Sequence, residues 1–563
     1  MRRLRTALIS GATLVALLVP VHAAAAAPDG ATPGGAARPP VPVPPGPAFE
    51  LGHSRIKAPA RKAGSADHTI TLRGIDIDGT RVAPLAVLID LATGAEIGLT
   101  ESGDTLTGSA PPGDYSLTGI VLTGARDAPR DLALYGDPTL SVHGDVDLTL
   151  DARTAAELKA VGPSAAATEI HSHAQLVQTI AGQQITATIS GRPEVGLRAW
   201  PSAATTRPYH FLYVESQSEP PATRPSPRVY KLAFPTTGRI PAALTFTAAP
   251  AGLALVNTTY ASQGVASTGA GPHVVIADFD GVTGESLGLT HLASAPGTQR
   301  VYYTANGVKW RGDFFYTVGP IQVAERQSAL RSFTAGATYS EVWNKAAFGP
   351  TMKVGHGQGL LLARPLLGDT GQVGRENLAG NYSTGTTGKL TLFRDGQKVG
   401  ESDNPLAGDW TVPAEDAAFR LDLTMRRKVA WSNYVTGIDA RWGFRSAERP
   451  GDPFEDQRRL LQPRITGGFD SAGRAPSGTT FPLDVGVERE VDGSAVTSAS
   501  LEASFDDGVT WSTVPLTSGG TDRWTARVAH PAAHNGYVAL RFKAADGSGN
   551  SVEQTVTRAY GLR

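Results

Sequence analysis

The residues whose types and spacing could do chemistry fall into a few short clusters. Gly284-Glu285-Ser286-Leu287-Gly288, with His291 close behind, matches the G-x-S-x-G elbow of serine hydrolases. That elbow works when a strand, a sharp turn and a helix N-terminus present the hydroxyl beside an oxyanion hole. Ala293-Ser294-Ala295-Pro296-Gly297 would break such a helix within about two turns, so the pentapeptide reads as a Gly-rich loop. His171-Ser172-His173 places two imidazoles on one face of a strand, with Glu169 on the same face, within reach of one metal ion. Zinc would need a further ligand that is not nearby, and alternating polar residues on a solvated strand face give the same spacing. Asp278, Asp280 and Glu285 form an oxygen-rich cluster of the kind that holds calcium in extracellular modules, and Asp76 with Asp78 is a weaker one. Neither has EF-hand spacing, and Asp-Gly is a default turn dipeptide. Calcium at the first cluster is the one cofactor the sequence leaves open.

Two further motifs invite a structural reading. Ser504-Phe505-Asp506-Asp507-Gly508-Val509-Thr510-Trp511 fits the S-x-D-x-G-x-T-W Asp-box, a hairpin whose Asp bonds turn amides while the Trp packs beneath. Sialidase-type propellers repeat this box, and one copy makes a hairpin, not a propeller. Arg311-Gly312-Asp313 is the tripeptide of adhesive ligands but abuts the apolar Phe314-Phe315-Tyr316. No residue emerges as catalytic.

The elements that must position these groups are strands. Residues 1–27 read as a secretory signal peptide: Arg2, Arg3 and Arg5, an apolar run from Ala7 to Val21, and the tract Ala23 to Ala27 where cleavage is expected. The expected destination is extracellular. Removing that segment and its three arginines leaves a net charge of about −4, which gives no footprint for nucleic acid. No later apolar stretch reaches the roughly 18 residues of a spanning helix, so no membrane insertion is expected. The chain has no cysteine, so its stability must come from buried cores and not from disulfides. Residues 28–66 form a Pro/Gly-rich spacer whose Pro39-Pro40-Val41-Pro42-Val43-Pro44-Pro45 can neither pair nor coil, followed by a basic stretch from His53 to Lys62.

From His68 onward, period-two alternation and turn dipeptides dominate, which predicts an all-β chain of tandem β-sandwich domains. The expected boundaries are 67–152, 153–345 and 346–447, a linker over 448–463, and an immunoglobulin-like sandwich over 464–563. In the first, Pro112-Gly113-Asp114-Tyr115 resembles the hairpin of transthyretin-like domains. Thr154 to Val161, ended by Gly162-Pro163, has the composition of a brief helix at a joint. The 153–345 segment carries strand candidates such as His171–Ile180, Gln183–Ile189, Phe211–Glu215 and Val229–Phe234. In the third, Asp395-Gly396 between alternating strands is the strongest hairpin signal in the chain. Trp511 and Trp524 are expected in the core of the last module.

Leu390 to Glu401, Arg420-Leu421-Asp422-Leu423-Thr424, Trp442 to Arg445, Leu501 to Trp511 and Thr555 to Tyr560 together resemble the non-catalytic C-terminal region of large secreted actinobacterial subtilisin-like serine proteases. The resemblance spans roughly the last 200 residues, with a fainter echo from Leu72 to Arg153. It implies accessory β-sandwiches and no chemistry. The family's protease domain needs Asp, His and Ser motifs in that order. Here Asp369-Thr370-Gly371 follows His356-Gly357, the histidine motif lacks its threonine, and no Gly-Thr-Ser-Met-Ala occurs.

The expectation is a secreted, non-enzymatic protein that binds an extracellular protein or polymer. Trp200, Tyr209, Trp343, Trp410, Trp431 and Trp442 are candidate contact aromatics. The rival is a secreted hydrolase that gathers His273, Asp278, Asp280, Glu285, Ser286 and His291 into one pocket of the middle domain. A third reading is a protease relic or inhibitor-like partner docking to a full-length subtilase.

Overall fold

The computed structural model describes residues 48–53, 67–220, 228–265, 273–279, 282–283, 295–305, 307–318, 321–328, 330–372, 385–453, 458–489 and 494–563. Among them there is no α-helix; the chain is strands, turns and short 3-10 segments. Alternation is the cause. In His68–Ile75, Ile70 and Leu72 are buried while their neighbours face outward, and the strand pairs with Thr105–Ala110 and, in parallel, with Val146–Asp151. A second sheet built on Leu85–Asp90, Gly113–Ala125 and Ala128–Val142 faces it across Leu88, Leu106, Leu117 and Val142. The hairpin expected around Pro112-Gly113 does not form, because Thr105–Ala110 and Gly113–Ala125 belong to different sheets; Tyr115 at this crossing is buried and its hydroxyl donates to the Pro111 carbonyl at 2.7 Å.

The expected helix at 154–161 does not form. A 3-10 turn, Ala152–Thr154, leads into strands Ala156–Glu157 and Lys159–Val161. Backbone pairing overrides the helical composition, because Leu158 N donates to Leu197 O and Lys159 N to Leu244 O, with Leu158 and Ala160 buried at period two. The sheet of the first segment also gains Gly196–Ala199 as a strand parallel to Ala128–Val142.

The centre of the molecule is an eight-stranded sheet. Its strands are β1 (Ala48–His53), β2 (Thr168–Ile180), β3 (Gln183–Gly191), β4 (Tyr209–Ser218), β5 (Arg228–Thr237), β6 (Leu253–Tyr260), β7 (Gly297–Thr304) and β8 (Thr338–Trp343). Their order across the sheet is β1-β3-β2-β4-β5-β7-β6-β8. One face packs on the first segment through Leu132, Leu134, Ala174, Leu176, Phe211 and Tyr213. The other buries Val214, Ala233, Val256, Val301, Tyr303 and Trp310.

The last module has immunoglobulin-like pairing. Strands A (Gln462–Gly467), B (Thr480–Glu488), E (Arg523–Ala529) and D (Leu516–Gly520) form one sheet. Strands G (Ser551–Leu562), F (Tyr537–Asp546), C (Val496–Ser504) and C′ (Ser512–Val514) form the other. The short A′ (Arg474–Ala475) pairs with G in parallel.

The last two modules are not separable. Gly437–Ser446 pairs with G over seven residues, fusing Gln397–Ser402, Thr386–Arg394, Ala417–Arg427 and Gly437–Ser446 with G, F, C, C′ and A′ into one nine-stranded sheet. Arg458–Arg459, inside the expected linker, pairs with Phe348–Gly357. Gln462, fully buried, accepts from Met352 N at 3.0 Å and donates to Met352 O at 2.6 Å. One hydrophobic core runs across both modules. The Asp395-Gly396 hairpin forms as read, with φ positive at both residues (48° and 80°), the pairing a two-residue I′-type turn requires.

Candidate functional site: a buried polar face of the central sheet

The cross-strand register gathers polar side chains on one face of the central sheet. His171 of β2 lies opposite Ser216 of β4, which lies opposite Lys231 of β5, which lies opposite Tyr303 of β7. Side chains directly opposite each other share a face and approach to roughly 5 Å at Cβ. The neighbouring row runs Ser190, His173, Val214, Ala233, and the next begins Thr188, Gln175, Leu212. His173, Ser216 and Lys231 are fully buried, and His171, Gln175, Thr188 and Ser190 nearly so.

Burial sets the protonation states. His171 is pushed down to about 4 by desolvation, with the Lys231 and Arg192 charges adding to the effect. His173 is pushed down to about 3 by complete burial, and Lys231 to about 7 by the same cause. At neutral pH the imidazoles are uncharged. The Nδ1 of His171, both ring nitrogens of His173, the Oε1 of Gln175 and the Oγ of Ser216 have no hydrogen-bond partner. His171 and His173 were expected on a solvated strand face. The structure places them inside, because β2 is a central strand with sheet on both sides and layers over both faces.

The opposite face carries a carboxylate clamp. Glu215, itself buried, accepts from Ala160 N at 2.7 Å, from the Tyr213 hydroxyl at 2.7 Å and from Gln217 Nε2 at 2.6 Å. This fastens the Lys159–Val161 strand to the sheet. Burial lifts the Glu169 carboxyl to about 7, opposed by a hydrogen bond from Ser172 and reinforced by the Glu215 charge. Glu169 lies opposite Gln217, on the clamp side, whereas His171 and His173 face the other way, because the register shifts between Glu169 and His171. The expectation of Glu169 beside the two histidines therefore fails through a bulge that no spacing argument could detect.

Asp278 is on the strand His273–Phe279, while Asp280, Glu285, Ser286 and His291 lie outside the described residues. Among the described residues no group of three or more His, Asp or Glu is arranged to hold a metal. Asp76 closes its own turn, its Oδ1 accepting from Asp78 N and Thr80 N, and Asp78 pairs with Arg130. His356 lies opposite Leu361 and Asp369 opposite Phe348, at opposite ends of one hairpin. The His356 Nδ1 instead meets Ser446 Oγ at 3.0 Å. Arg311-Gly312-Asp313 sits within the strand Lys309–Val318, paired on both sides.

All but one of the proposed contact aromatics are core. Trp343 and Trp442 are fully buried, Tyr209, Trp410 and Trp431 are buried, and the half-buried Trp200 donates its Nε1 to Thr154 Oγ1. Conversely Trp511 and Trp524, expected inside, are half-buried. The Asp-box forms: Asp506 accepts from Thr510 N at 2.9 Å and from the Thr510 hydroxyl at 2.6 Å, and Trp511 Nε1 donates to Gly508 O. Its Trp covers the Arg541 guanidinium at 4.0 Å on the sheet surface instead of entering the core.

That surface is the feature sequence reasoning missed. The outward positions of the nine-stranded sheet carry a ladder of ion pairs that crosses both modules. Asp422 bonds Arg420 and Arg441 at 3.0 and 3.1 Å, Arg426 pairs with Asp439, Lys543 with Glu553 and Arg541 with Glu502. Exposed pairs of this kind contribute only about 0–1 kcal/mol each. The signal was present in the period-two polar positions of Ala417–Arg427 and Gly437–Ser446, but joining them to strands F and C required the fused sheet.

No protein-family model matches the chain. No curated protein matches it at a significant level. Solved structures with detectable similarity include the N-terminal eight immunoglobulin domains of Down Syndrome Cell Adhesion Molecule isoform 1.30.30, at 10% identity over 87% of this chain and 73% of that chain, TM-score 0.13. Escherichia coli alpha-2-macroglobulin activated by porcine elastase aligns at 9% identity over 92% of this chain and 53% of that chain, TM-score 0.14. The N-terminal four immunoglobulin domains of Dscam1 isoform 7.44 align at 7% identity over 72% and 97%, TM-score 0.11. The immunoglobulin-like assignment of the last module rests on the strand pairing above.

Proposed function

We propose that this is an extracellular, non-enzymatic binding protein, resembling subtilase accessory regions, that uses the outer face of its nine-stranded sheet to hold an exported protein or polymer. The observation that carries the reading is that face itself: a continuous, charged surface spanning two modules, with Arg420 stacked over Phe393 at 3.8 Å and Arg541 over Trp511 at 4.0 Å. Stacked guanidiniums are held in place and so lose less freedom on binding. His171, His173 and Lys231 of the central sheet are sealed from solvent, which suits a structural role better than turnover. The leader over residues 1–27 supports export.

Affinity capture from the medium of the producing cells tests this reading. Wild-type protein should retain a defined exported partner, and Arg441→Gln with Lys543→Gln should lose it at least tenfold while stability falls by no more than about 2 kcal/mol. Equal capture by both proteins would refute the assignment of that face. Stoichiometric labelling by a fluorophosphonate, abolished by Ser286→Ala, would refute the non-enzymatic reading and establish the hydrolase alternative.

A further inference from the structure

We propose that β3 is a strand-docking edge, closed in this chain by its own β1, and that the β1 of a second copy can take the same place. β1 pairs antiparallel with β3 over six residues, from Ala48 opposite Ser190 to His53 opposite Ile185. It is the terminal strand of the sheet, so without it β3 would be the edge. Every other strand of that sheet comes from residue 168 onward.

The composition of β3 makes that edge unlike a protected one. Gln183-Gln184-Ile185-Thr186-Ala187-Thr188-Ile189-Ser190-Gly191 contains no charge and no proline. It is rich in β-branched residues, and its pairing with β2 runs without a bulge. Edges exposed to solvent are normally blunted by Lys, Pro, bulges or short length, because an uncharged regular edge pairs with any strand offered to it. Ile185, Ala187, Thr188, Ile189 and Ser190 are all buried, so both faces of β3 are covered and only its hydrogen-bonding edge depends on β1.

Phe49 is half-buried against the core formed with Ile189 and Ala187. Residues 54–67, fourteen in number, join β1 to the strand His68–Ile75 and could span at most about 50 Å. Contacts made by β1 are the same whichever copy supplies it, so the partner with the best chemical fit for the edge is a second copy of this chain. A tether of this length sets an effective concentration in the millimolar range, below which the chain closes on itself and towards which exchanged dimers appear.

The test uses the full chain. In sedimentation, wild-type protein should be monomeric at micromolar concentration and should form a dimer fraction that grows towards millimolar and falls when a peptide of residues 46–54 is added in excess. Phe49→Asp should unseat β1. A fluorescein-labelled 46–54 peptide should then bind this variant one to one, at least tenfold more tightly than it binds wild type. Amides of β3 that bond to β1 should exchange at least tenfold faster, while those shared with β2 keep their protection. A variant whose β2 to β4 amides stay protected, yet which takes up no peptide, overturns the proposal. Phe49→Ala, which removes the packing without adding charge, carries the same expectations should the aspartate disturb the sheet. A wild-type protein that stays monomeric at millimolar concentration also overturns the exchange.

Discussion

Acidification should loosen the central sheet through His171 and His173. Both rings are held neutral in the native state, at about 4 and about 3, whereas each titrates near 6.5 in an unfolded chain. A depressed folded value means that the unfolded chain takes up the protons first as pH falls. The stability these rings contribute is therefore complete above about 6.5 and is lost as pH drops towards the folded values. At pH 5 each native ring is still neutral, 1.5 units below the unfolded midpoint, so each costs about 2 kcal/mol and the pair about 4 kcal/mol. Glu169 works in the opposite sense. Its carboxyl is raised to about 7, so its contribution is complete below about 4.5 and lost as pH rises through 7. Moving from pH 7 to 5 returns about 1 to 2 kcal/mol from that group. Lys231, depressed to about 7, contributes fully only above about 10.5 and loses most of that contribution before pH 7 is reached. The net loss between pH 7 and 5 is about 2 kcal/mol. His171→Gln with His173→Gln isolates the imidazole part: wild type should lose about 4 kcal/mol more than the double variant over that interval. Urea titration read by hydrogen exchange on peptides covering 168–191 follows this sheet alone within a multi-module chain. An identical pH dependence in the two proteins would refute the reasoning, as would an imidazole NMR midpoint above 6 for either ring.

Trp511→Ala should cost roughly 1 to 2 kcal/mol in thermal unfolding, against the roughly 3 to 5 typical of a fully buried aromatic, because the ring lies on the sheet surface. A larger loss would place it in the core. Gly136→Ala should destabilise by roughly 1 to 3 kcal/mol, since the added carbon would lie 2.2 Å from the Tyr209 hydroxyl and 2.6 Å from Leu176. Unchanged denaturation would show that the first segment and the central sheet do not pack this closely. Tyr115→Phe should cost about 1 kcal/mol through the lost bond to Pro111 O, and wild-type stability in that variant would show that the bond does not fasten the 111–113 crossing.

The sequence by itself determined the class of this protein. Alternation at period two, Asp-Gly and Pro-Gly turns and the lack of helical periodicity are local properties, so the strands at 171–180, 183–189, 211–215 and 229–234 and the Asp395-Gly396 turn were readable without knowing their neighbours. Only the tertiary structure decided which face of a strand meets water. His171-Ser172-His173 reads as a polar surface until β2 is found between β3 and β4 with layers on both sides. The bulge after Glu169 then turns that carboxyl to the other face. The same limit reversed the tryptophans: Trp343 and Trp442 are sealed by strands distant in sequence, and Trp511 is held outside by Arg541. The helix expected at 154–161 gave way because its amides found carbonyls at Leu197 and Leu244. Burial is a sum over non-local contacts. A single strand's pattern records that it has two faces, and only its partners in space determine what covers each.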